Sequence, residues 1–222
     1  MEILKLLKQL NLLFHSEGES IYAVGGSVRD YLRNVATTDF DFATSATPDV
    51  MKKLLPDANF TFARFGTVSY KFDENHIEIT TFRHEDSYRD ARHPSQITFV
   101  KEMAIDAFRR DFTINALYLD ANGVIYDFFN GQEDLNNKII RMIGDPYVRL
   151  KEDPLRILRA LRFKLILGFT FEETLDQALH VSAPLVKLLT PAKVEAEIKK
   201  MRAYDNLATN LLLEQYQILT TK

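Results

Sequence analysis

The stretch that decides the fold is IYAVGGSVRDYLRNVATTDFDF, residues 21–42. The short apolar run from Ile21 to Val24 predicts a strand that enters a turn at Gly25-Gly26. Residues 27–33 then predict a helix, and residues 38–42 predict a second strand. A strand, a glycine turn, a helix and another strand are typical of a mixed α and β unit.

The turn GGSVRD, residues 25–30, has the composition of an anion-binding corner. Two glycines let backbone N–H groups approach a phosphate closely, and Arg29 follows within one turn of the helix. The sequence is not a P-loop, because GxxxxGK[ST] occurs nowhere in the chain. An ordinary strand-to-helix corner with a surface arginine is the alternative interpretation.

The second strand carries acidic residues in alternation. Asp39 and Asp41 are two residues apart, so they share one face of the strand, while Phe40 and Phe42 point to the other face and the core. Two such carboxylates can bind Mg²⁺, which prefers oxygen ligands. Paired ions of this kind stabilise the attacking and leaving oxygens of phosphoryl transfer. The alternative is a half-buried strand with two solvated acids.

Further along the chain, the predicted secondary structure changes near residue 140. Before it, further strands alternate with helices, and Asn122-Gly123 is a strong hairpin signal. The helix predicted there is 48–55, and the strands are 67–72, 77–82, 112–119 and 124–128. After Arg141 no strand is expected, and helices are predicted at 153–167, 171–181 and 191–203. The chain is therefore expected to be an α+β domain followed by an all-α segment.

A charged motif, RRDFTINA, spans residues 109–116. It places Arg109, Arg110 and the amide of Asn115 at the start of the predicted strand 112–119. The alternative is an edge strand with a solvated, charged entrance.

The composition excludes several classes of protein. The 222 residues contain no cysteine, which removes disulfides and thiolate metal sites and fits a reducing compartment such as the cytoplasm. No apolar run reaches the length of a membrane span, and residues 1–20 read as an amphipathic helix rather than a signal peptide. The net charge of -3 argues against non-specific nucleic-acid binding, although basic residues cluster between Arg149 and Lys164.

Four motifs follow one another along the chain: GGSVRD (25–30), TDFDFAT (38–44), RRDFTINA (109–116) and EDPLRILRA (152–160). Together they resemble the ordered motifs of the class II tRNA nucleotidyltransferases, the family of CCA-adding enzymes and bacterial poly(A) polymerases. The resemblance runs from about Ile21 to about Ala203, and four spaced motifs are far more specific than any one of them.

The resemblance implies a fold and a domain order. The head would be the palm of the DNA-polymerase-β-like nucleotidyltransferases, a mixed or antiparallel sheet with flanking helices, at residues 1–140. A helical neck would follow at 141–203, and a helical body would begin at 204–222. Most of the body and tail would be missing, so we expect intact nucleotide binding and weakened tRNA binding.

The resemblance also implies roles for individual residues. Asp39 and Asp41 would be the Mg²⁺ ligands, and Glu78, which alternates with apolar neighbours, is the candidate third catalytic carboxylate. Asp153 and Arg156 would read the Watson–Crick edge of the incoming base, because a carboxylate and a guanidinium present complementary acceptors and donors. The implied nucleotide-binding residues are Gly25, Gly26, Arg29, Arg110, Asn115, Asp153, Arg156, Arg159 and Arg162. On a helix, residues 153, 156 and 159 would share one surface, with Arg162 further round. The alternative for Asp153 is an ordinary N-cap of this helix, and the two roles are compatible.

Three reactions remain open within the family. The enzyme would add CCA to tRNA 3′ ends from CTP and ATP, add only A, or polymerise A. The long charged segment 84–96 favours A addition, and the neck motif is not followed by the basic segment expected of poly(A) polymerases. The expected partners are CTP, ATP and tRNA, with no membrane and no protein partner. From another class, an inactive RNA-binding module on the same fold is the alternative.

Overall fold

The computed structural model describes residues 2–36, 39–72, 75–85 and 97–218. These residues form two compact units. The first contains the described residues up to Gln132 apart from 111–113, and the second contains 111–113 and 133–218. Within the described ranges, no helix has both the length and the apolar character needed to cross a membrane.

A six-stranded mixed sheet is the centre of the first unit. The strands of this unit are β1 (Ile21–Val24), β2 (Phe40–Thr44), β3 (Thr67–Phe72), β4 (Asn75–Thr81), β5 (Arg83–Glu85), β6 (Ile97–Phe99), β7 (Leu117–Leu119) and β8 (Ile125–Asp127). The order in the sheet is β3-β4-β2-β1-β7-β8, with β2 and β4 parallel and the other pairs antiparallel. Strands β5 and β6 form a separate antiparallel pair.

Four helices accompany these strands: α1 (Glu2–His15), α2 (Gly26–Leu32), α3 (Pro48–Leu54) and α4 (Met103–Phe108). The predicted amphipathic character of the first helix is confirmed, because its apolar side chains recur at helical spacing and are buried. Those side chains are Ile3, Leu6, Leu7, Leu10 and Phe14. Each contributes on the order of 2 kcal/mol by leaving water.

The parallel pairing of β2 with β4 positions the acidic residues. Phe40 and Phe42 are buried, and their partners across the ladder are Ile77 and Ile79. Between them, Asp41 is paired with Glu78. Paired residues of a parallel ladder point to the same face, so these two carboxylates are neighbours on the face opposite the phenylalanines.

Both predicted hairpins are confirmed. Strands β3 and β4 pair in full antiparallel register. Strands β7 and β8 are joined by a turn in which the Asp120 carboxylate accepts hydrogen bonds from the backbone N–H groups of Asn122 and Val124. Gly123 has a φ of 87°, which a residue with a side chain rarely adopts, and this explains why the Asn-Gly pair marks the turn.

The prediction of one continuous strand from Phe112 to Leu119 is wrong. Phe112 makes a single bridge to Met142, residues 113–115 form a 3₁₀ turn, and only the last three residues form a strand. The cause is a tertiary contact inside the second unit. The Thr113 backbone N–H donates to the Arg141 carbonyl, and its hydroxyl donates to Asp134, which takes the chain out of the ladder.

The second unit is mostly helical. Its elements are α5 (Gly131–Asn137, whose first two residues belong to the first unit), β9 (Ile139–Ile140), α6 (Pro146–Glu152), α7 (Leu155–Leu167), β10 (Thr170–Phe171), α8 (Glu173–Ser182), α9 (Pro191–Tyr204) and α10 (Asn206–Gln215). The expectation that no strand follows Arg141 is wrong at β10, which pairs in parallel with β9. Helix α6 was not predicted, although Asp145 caps it and Pro146 starts it.

Helix α7 ends where the sequence predicts, at Gly168, whose φ of 65° is left-handed. It begins later than predicted, at Leu155. Asp153 is extended, with φ -140° and ψ 95°, and its carboxylate accepts from the Leu155 N–H. Asp153 therefore stands just before the helix, and its carboxylate makes the capping contact that the sequence allows for it.

Candidate active site

The glycine turn after β1 lies against the acidic strand. Gly25 has φ 72° and ψ -137°, a conformation open to glycine almost alone. A Cβ at this position would lie 3.6 Å from Asp41 Oδ2 and 3.9 Å from Arg110 Nη1. Because Gly25 has no side chain, the space beside it stays open. The Asp41 carboxylate and the Arg110 guanidinium both face this space, which we call the cradle at Gly25.

Serine and backbone contacts fix this turn to its neighbours. The Ser27 hydroxyl donates to the Val24 carbonyl at 2.8 Å and lies 3.3 Å from the Asp41 carbonyl. The Arg29 N–H donates to the Gly25 carbonyl and starts the helix at Gly26, one residue earlier than predicted. The turn, β2 and α2 are therefore held as one piece.

Arg29 and Asn115, which are 86 residues apart, meet beside this turn. The Arg29 guanidinium donates to Asn115 Oδ1 at 2.7 Å, and its Nε and Nη2 donate to the two carboxylate oxygens of Asp30. Its side chain is 10% exposed. A Cβ added to Gly26 would lie 3.4 Å from Arg29 Nη2, so the guanidinium packs closely against this glycine. Asn115 thus contacts Arg29, a partner that the sequence did not indicate.

Three carboxylates were predicted to bind metal or assist catalysis. Asp41 and Glu78 are brought together by the β2–β4 register, and Asp39 lies exposed just before β2. Among the described residues no cluster of three or more His, Asp or Glu has the arrangement of a metal site. Asp41, which lies at the cradle at Gly25, and its strand neighbour Glu78 nonetheless carry the hard oxygen donors that Mg²⁺ takes, and this chemistry fits the ion.

A polar cleft of about 190 Å³ opens beside Asp41. Its polar lining consists of two threonines, three arginines and this aspartate: Thr67, Thr80, Arg83, Arg109, Arg110 and Asp41. Three guanidinium groups in so small a volume make it suited to an anion with several charges, such as a triphosphate.

Asp106 is the buried anion next to these arginines. Its side chain is fully buried and accepts from Arg109 Nε at 2.9 Å, Arg110 Nη2 at 3.1 Å and the Tyr118 hydroxyl at 2.6 Å. Burial raises the pKa of Asp106, but the charges of the two arginines and the tyrosine hydrogen bond outweigh it and lower the pKa to about 2. The carboxylate is therefore ionised at any pH at which the protein works.

Sequence reasoning missed Asp106, Tyr118 and Arg83. Asp106 had a readable signal, because it stands three and four residues before Arg109 and Arg110, the spacing of ion pairs on a helix. Tyr118 and Arg83 had none, since their partners come from other elements. The proposed loop function at 84–96 concerns residues 86–96 that lie outside the described ranges, although the strands flanking them do pair.

The second unit holds the other four predicted nucleotide-binding residues. The Arg156 side chain is 5% exposed, and its Nη1 donates to the Arg149 carbonyl at 2.8 Å and to Glu152 at 3.2 Å. The Arg156 guanidinium, for which base reading was predicted, is therefore anchored through Nη1. Asp153 caps α7 through its carboxylate.

Arg159 and Arg162 converge on the ring of Phe163, at 5.5 and 4.5 Å from its centroid. The Arg159 guanidinium pairs with Asp111 at 2.5 Å, and Arg162 Nε donates to Glu197 at 2.6 Å. The two guanidinium groups thus share one aromatic contact, while each pairs with a different carboxylate.

Residues 21–141 match the family model described as the poly A polymerase head domain. The chain belongs to the poly A polymerase head domain family. Its central sheet and helices are the polymerase-β-like nucleotidyltransferase head that the sequence predicted, within the expected mixed α and β fold.

Relatives of this poly A polymerase head domain protein are CCA-adding enzymes. That of Staphylococcus epidermidis is 39% identical over 93% of this chain and 52% of the relative, and that of Lactobacillus helveticus is 46% identical over 83% and 46%. The crystal structure of the Bacillus stearothermophilus CCA-adding enzyme in complex with CTP has a TM-score of 0.90 and 30% identity, covering 98% of this chain and 53% of that one. The chain thus spans about half the length of these proteins.

Proposed function

We propose that this chain is the head and neck of a template-independent RNA nucleotidyltransferase that adds CCA to tRNA 3′ ends from CTP and ATP. The head would span residues 1–140, the neck 141–203 and the start of the body 204–222. Within the first unit, the observation that carries the proposal is the convergence of Asp41 and Arg110 on the cradle at Gly25, beside a cleft lined by three arginines.

The reaction needs few covalent contributions from the protein. The tRNA 3′-hydroxyl gives up its proton and its oxygen forms a bond to the α-phosphorus of the nucleotide. The bond between the α-phosphorus and the oxygen that bridges it to the β-phosphorus breaks, and pyrophosphate leaves with that oxygen. Catalysis of such a transfer is mostly positioning and charge neutralisation. Asp39 and Asp41 would hold Mg²⁺, which when bound supplies positive charge to the phosphate oxygens. Glu78 would help to deprotonate the attacking 3′-hydroxyl.

The side chains of the first unit would bind the triphosphate. Arg110 faces the cradle at Gly25, and the Arg29 guanidinium is fixed beside the same turn by Asp30 and Asn115. Guanidinium groups bind phosphate oxygens through paired N–H donors, so a prearranged pair orients the chain of phosphates. In the second unit, Asp153 and Arg156 would match the edge of cytosine or adenine, with Arg159 and Arg162 alongside.

The experiment incubates the protein with tRNA lacking its 3′ CCA, Mg²⁺ and labelled CTP or ATP, with tRNA in excess to offset weak binding. We expect two C residues and one A to be added. Addition of A only to tRNA that already ends in CC indicates the A-adding enzyme, and long runs of A indicate a poly(A) polymerase. No incorporation at any enzyme concentration would favour the inactive RNA-binding module.

Asp41→Asn tests the metal assignment within the same assay. Losing a Mg²⁺ ligand removes several kcal/mol of transition-state stabilisation, so we expect incorporation to fall about a thousandfold or more. Asp49→Asn, an exposed acid in the first turn of α3, is the matched control and should keep full activity. Retained activity in Asp41→Asn would show that the metal lies elsewhere.

A further inference from the structure

One buried carboxylate organises the basic side of the polar cleft. Asp106 lies in α4, in the first unit, and both of its oxygens are used. Oδ1 accepts from Arg109 Nε and, at 3.3 Å, from the backbone N–H of Arg83. Oδ2 accepts from Arg110 Nη2 and the Tyr118 hydroxyl. Four donors on one carboxylate bring α4, β5 and β7 to a single point.

The arrangement holds Arg110 by one edge of its guanidinium. Nη2 donates to Asp106, and Nε donates to the Tyr118 hydroxyl at 3.0 Å, while the guanidinium lies 5.2 Å from the centroid of the tyrosine ring. The remaining nitrogen, Nη1, is the one that faces the cradle at Gly25, where Asp41 Oδ2 also lies. Asp106 and Tyr118 therefore set the direction in which Arg110 presents its charge.

The same carboxylate offsets repulsion between neighbouring cations. Arg83, Arg109 and Arg110 all line the cleft, and like charges this close are costly without an anion between them. Asp106 contacts the side chains of Arg109 and Arg110, and Glu85 accepts from Arg83 at 2.9 Å and from Arg109 at 3.4 Å. Asp106 itself is fully buried, so its role is to act through these arginines and not to touch a ligand.

We propose that Asp106 is a positioning residue for triphosphate binding: together with the Tyr118 hydroxyl it fixes the Arg110 guanidinium toward the cradle at Gly25. This rests on the proposed function, since it assigns to Arg110 a nucleotide triphosphate as ligand. Losing the carboxylate would let Arg110 turn away from the cleft and leave the positive charges beside it uncompensated.

The experiment measures the dissociation constant of CTP with Mg²⁺ by isothermal titration calorimetry in wild type and Asp106→Asn. A charge-assisted hydrogen bond is stronger than a neutral one, so we expect CTP to bind about tenfold more weakly in the variant. Glu19→Gln is the matched control, because Glu19 pairs with Lys101 in the same unit and its side chain is 11% exposed. The control should lower the melting temperature by a similar amount and leave CTP binding unchanged.

A double-mutant cycle separates positioning from a merely structural role. In an Arg110→Gln background, Asp106→Asn should weaken CTP binding no further, because its effect passes through Arg110. A further tenfold loss in that background, or an unchanged dissociation constant in the single variant, would overturn the proposal.

Tyr118→Phe keeps the test decisive if Asp106→Asn does not fold. It removes one hydroxyl and keeps the ring, and we expect about threefold weaker CTP binding from the loss of one neutral hydrogen bond. Wild-type affinity in this variant would refute the positioning role. Absence of CTP binding by the wild-type chain would instead reject the proposed function itself.

Discussion

Arg110 in the first unit is held by Asp106, which stands only four residues earlier in the chain. Arg159 in the second unit is held by Asp111, which stands 48 residues earlier. The first pairing spans four residues at the C-terminal end of α4, so it needs only the local fold of the chain. The second exists only once the elements of the second unit have packed. The first arrangement can therefore be read from the sequence, and the second cannot.

The two regions are also expected to act on different parts of a nucleotide. The arginines of the first unit line a cleft that also contains Asp41, which suits phosphates shared by all nucleoside triphosphates. Those of the second unit follow one another along α7, beside the capping carboxylate of Asp153, and would recognise what differs between nucleotides. Variants in each unit test this assignment of the phosphates to the first unit and of the base to the second.

The largest effect on nucleotide binding is expected from Arg110→Ala. Removing the cation weakens phosphate binding and leaves Asp106 with one partner fewer, so we expect CTP and ATP both to bind about a hundredfold more weakly. Titration calorimetry with each nucleotide measures this, and Arg64→Ala, an exposed arginine of the same unit, is the control. Loss of affinity for only one of the two nucleotides would contradict the assignment of phosphate binding to the first unit.

A second prediction concerns pH. Because the pKa of Asp106 is lowered from 3.8 to about 2 in the folded protein, its ionised form stabilises the fold above about pH 4. That contribution, about 2 kcal/mol, is lost as the pH falls toward 2. Urea unfolding from pH 6 to pH 2.5 should show the difference between wild type and Asp106→Asn shrinking over this window. A difference independent of pH would show that the carboxylate is not held ionised.

The smallest expected effect is a change of selectivity from Arg156→Ala. One good set of hydrogen bonds to a base edge discriminates by 1–3 kcal/mol, so the preference between CTP and ATP at each step should fall about tenfold. The dissociation constant of pyrophosphate, which lacks a base, should not change. Arg202→Ala, an exposed arginine of α9, is the control, and unchanged selectivity in Arg156→Ala would remove the base-reading role.

Local sequence patterns were sufficient for much of the sheet. The alternation of Asp39, Phe40, Asp41 and Phe42 predicted the burial of the two phenylalanines, and Asn122-Gly123 predicted the β7–β8 turn. Such patterns work because burial of alternate residues and the φ of a turn glycine are properties of a few consecutive residues.

Patterns failed where a distant partner decides the local structure. The apolar residues from Phe112 to Leu119 look like one strand, but the Thr113 hydroxyl binds Asp134, 21 residues later, and the chain leaves the ladder. Here a polar side chain forms a tertiary hydrogen bond that residue periodicity does not indicate. Asp153 differs, because capping was one of its two expected roles and its carboxylate accepts from the Leu155 N–H.

By itself the sequence determined the α+β head, the two predicted hairpins and the order of the four motifs, because these depend on local propensity and spacing. Only the tertiary structure decided that Asp41 lies beside Glu78, that Arg29 meets Asn115, and that Tyr118 completes the contacts of Arg110. Those contacts join residues from separate elements. Which of many polar side chains become partners is set when the buried faces pack together and each buried polar group must be satisfied.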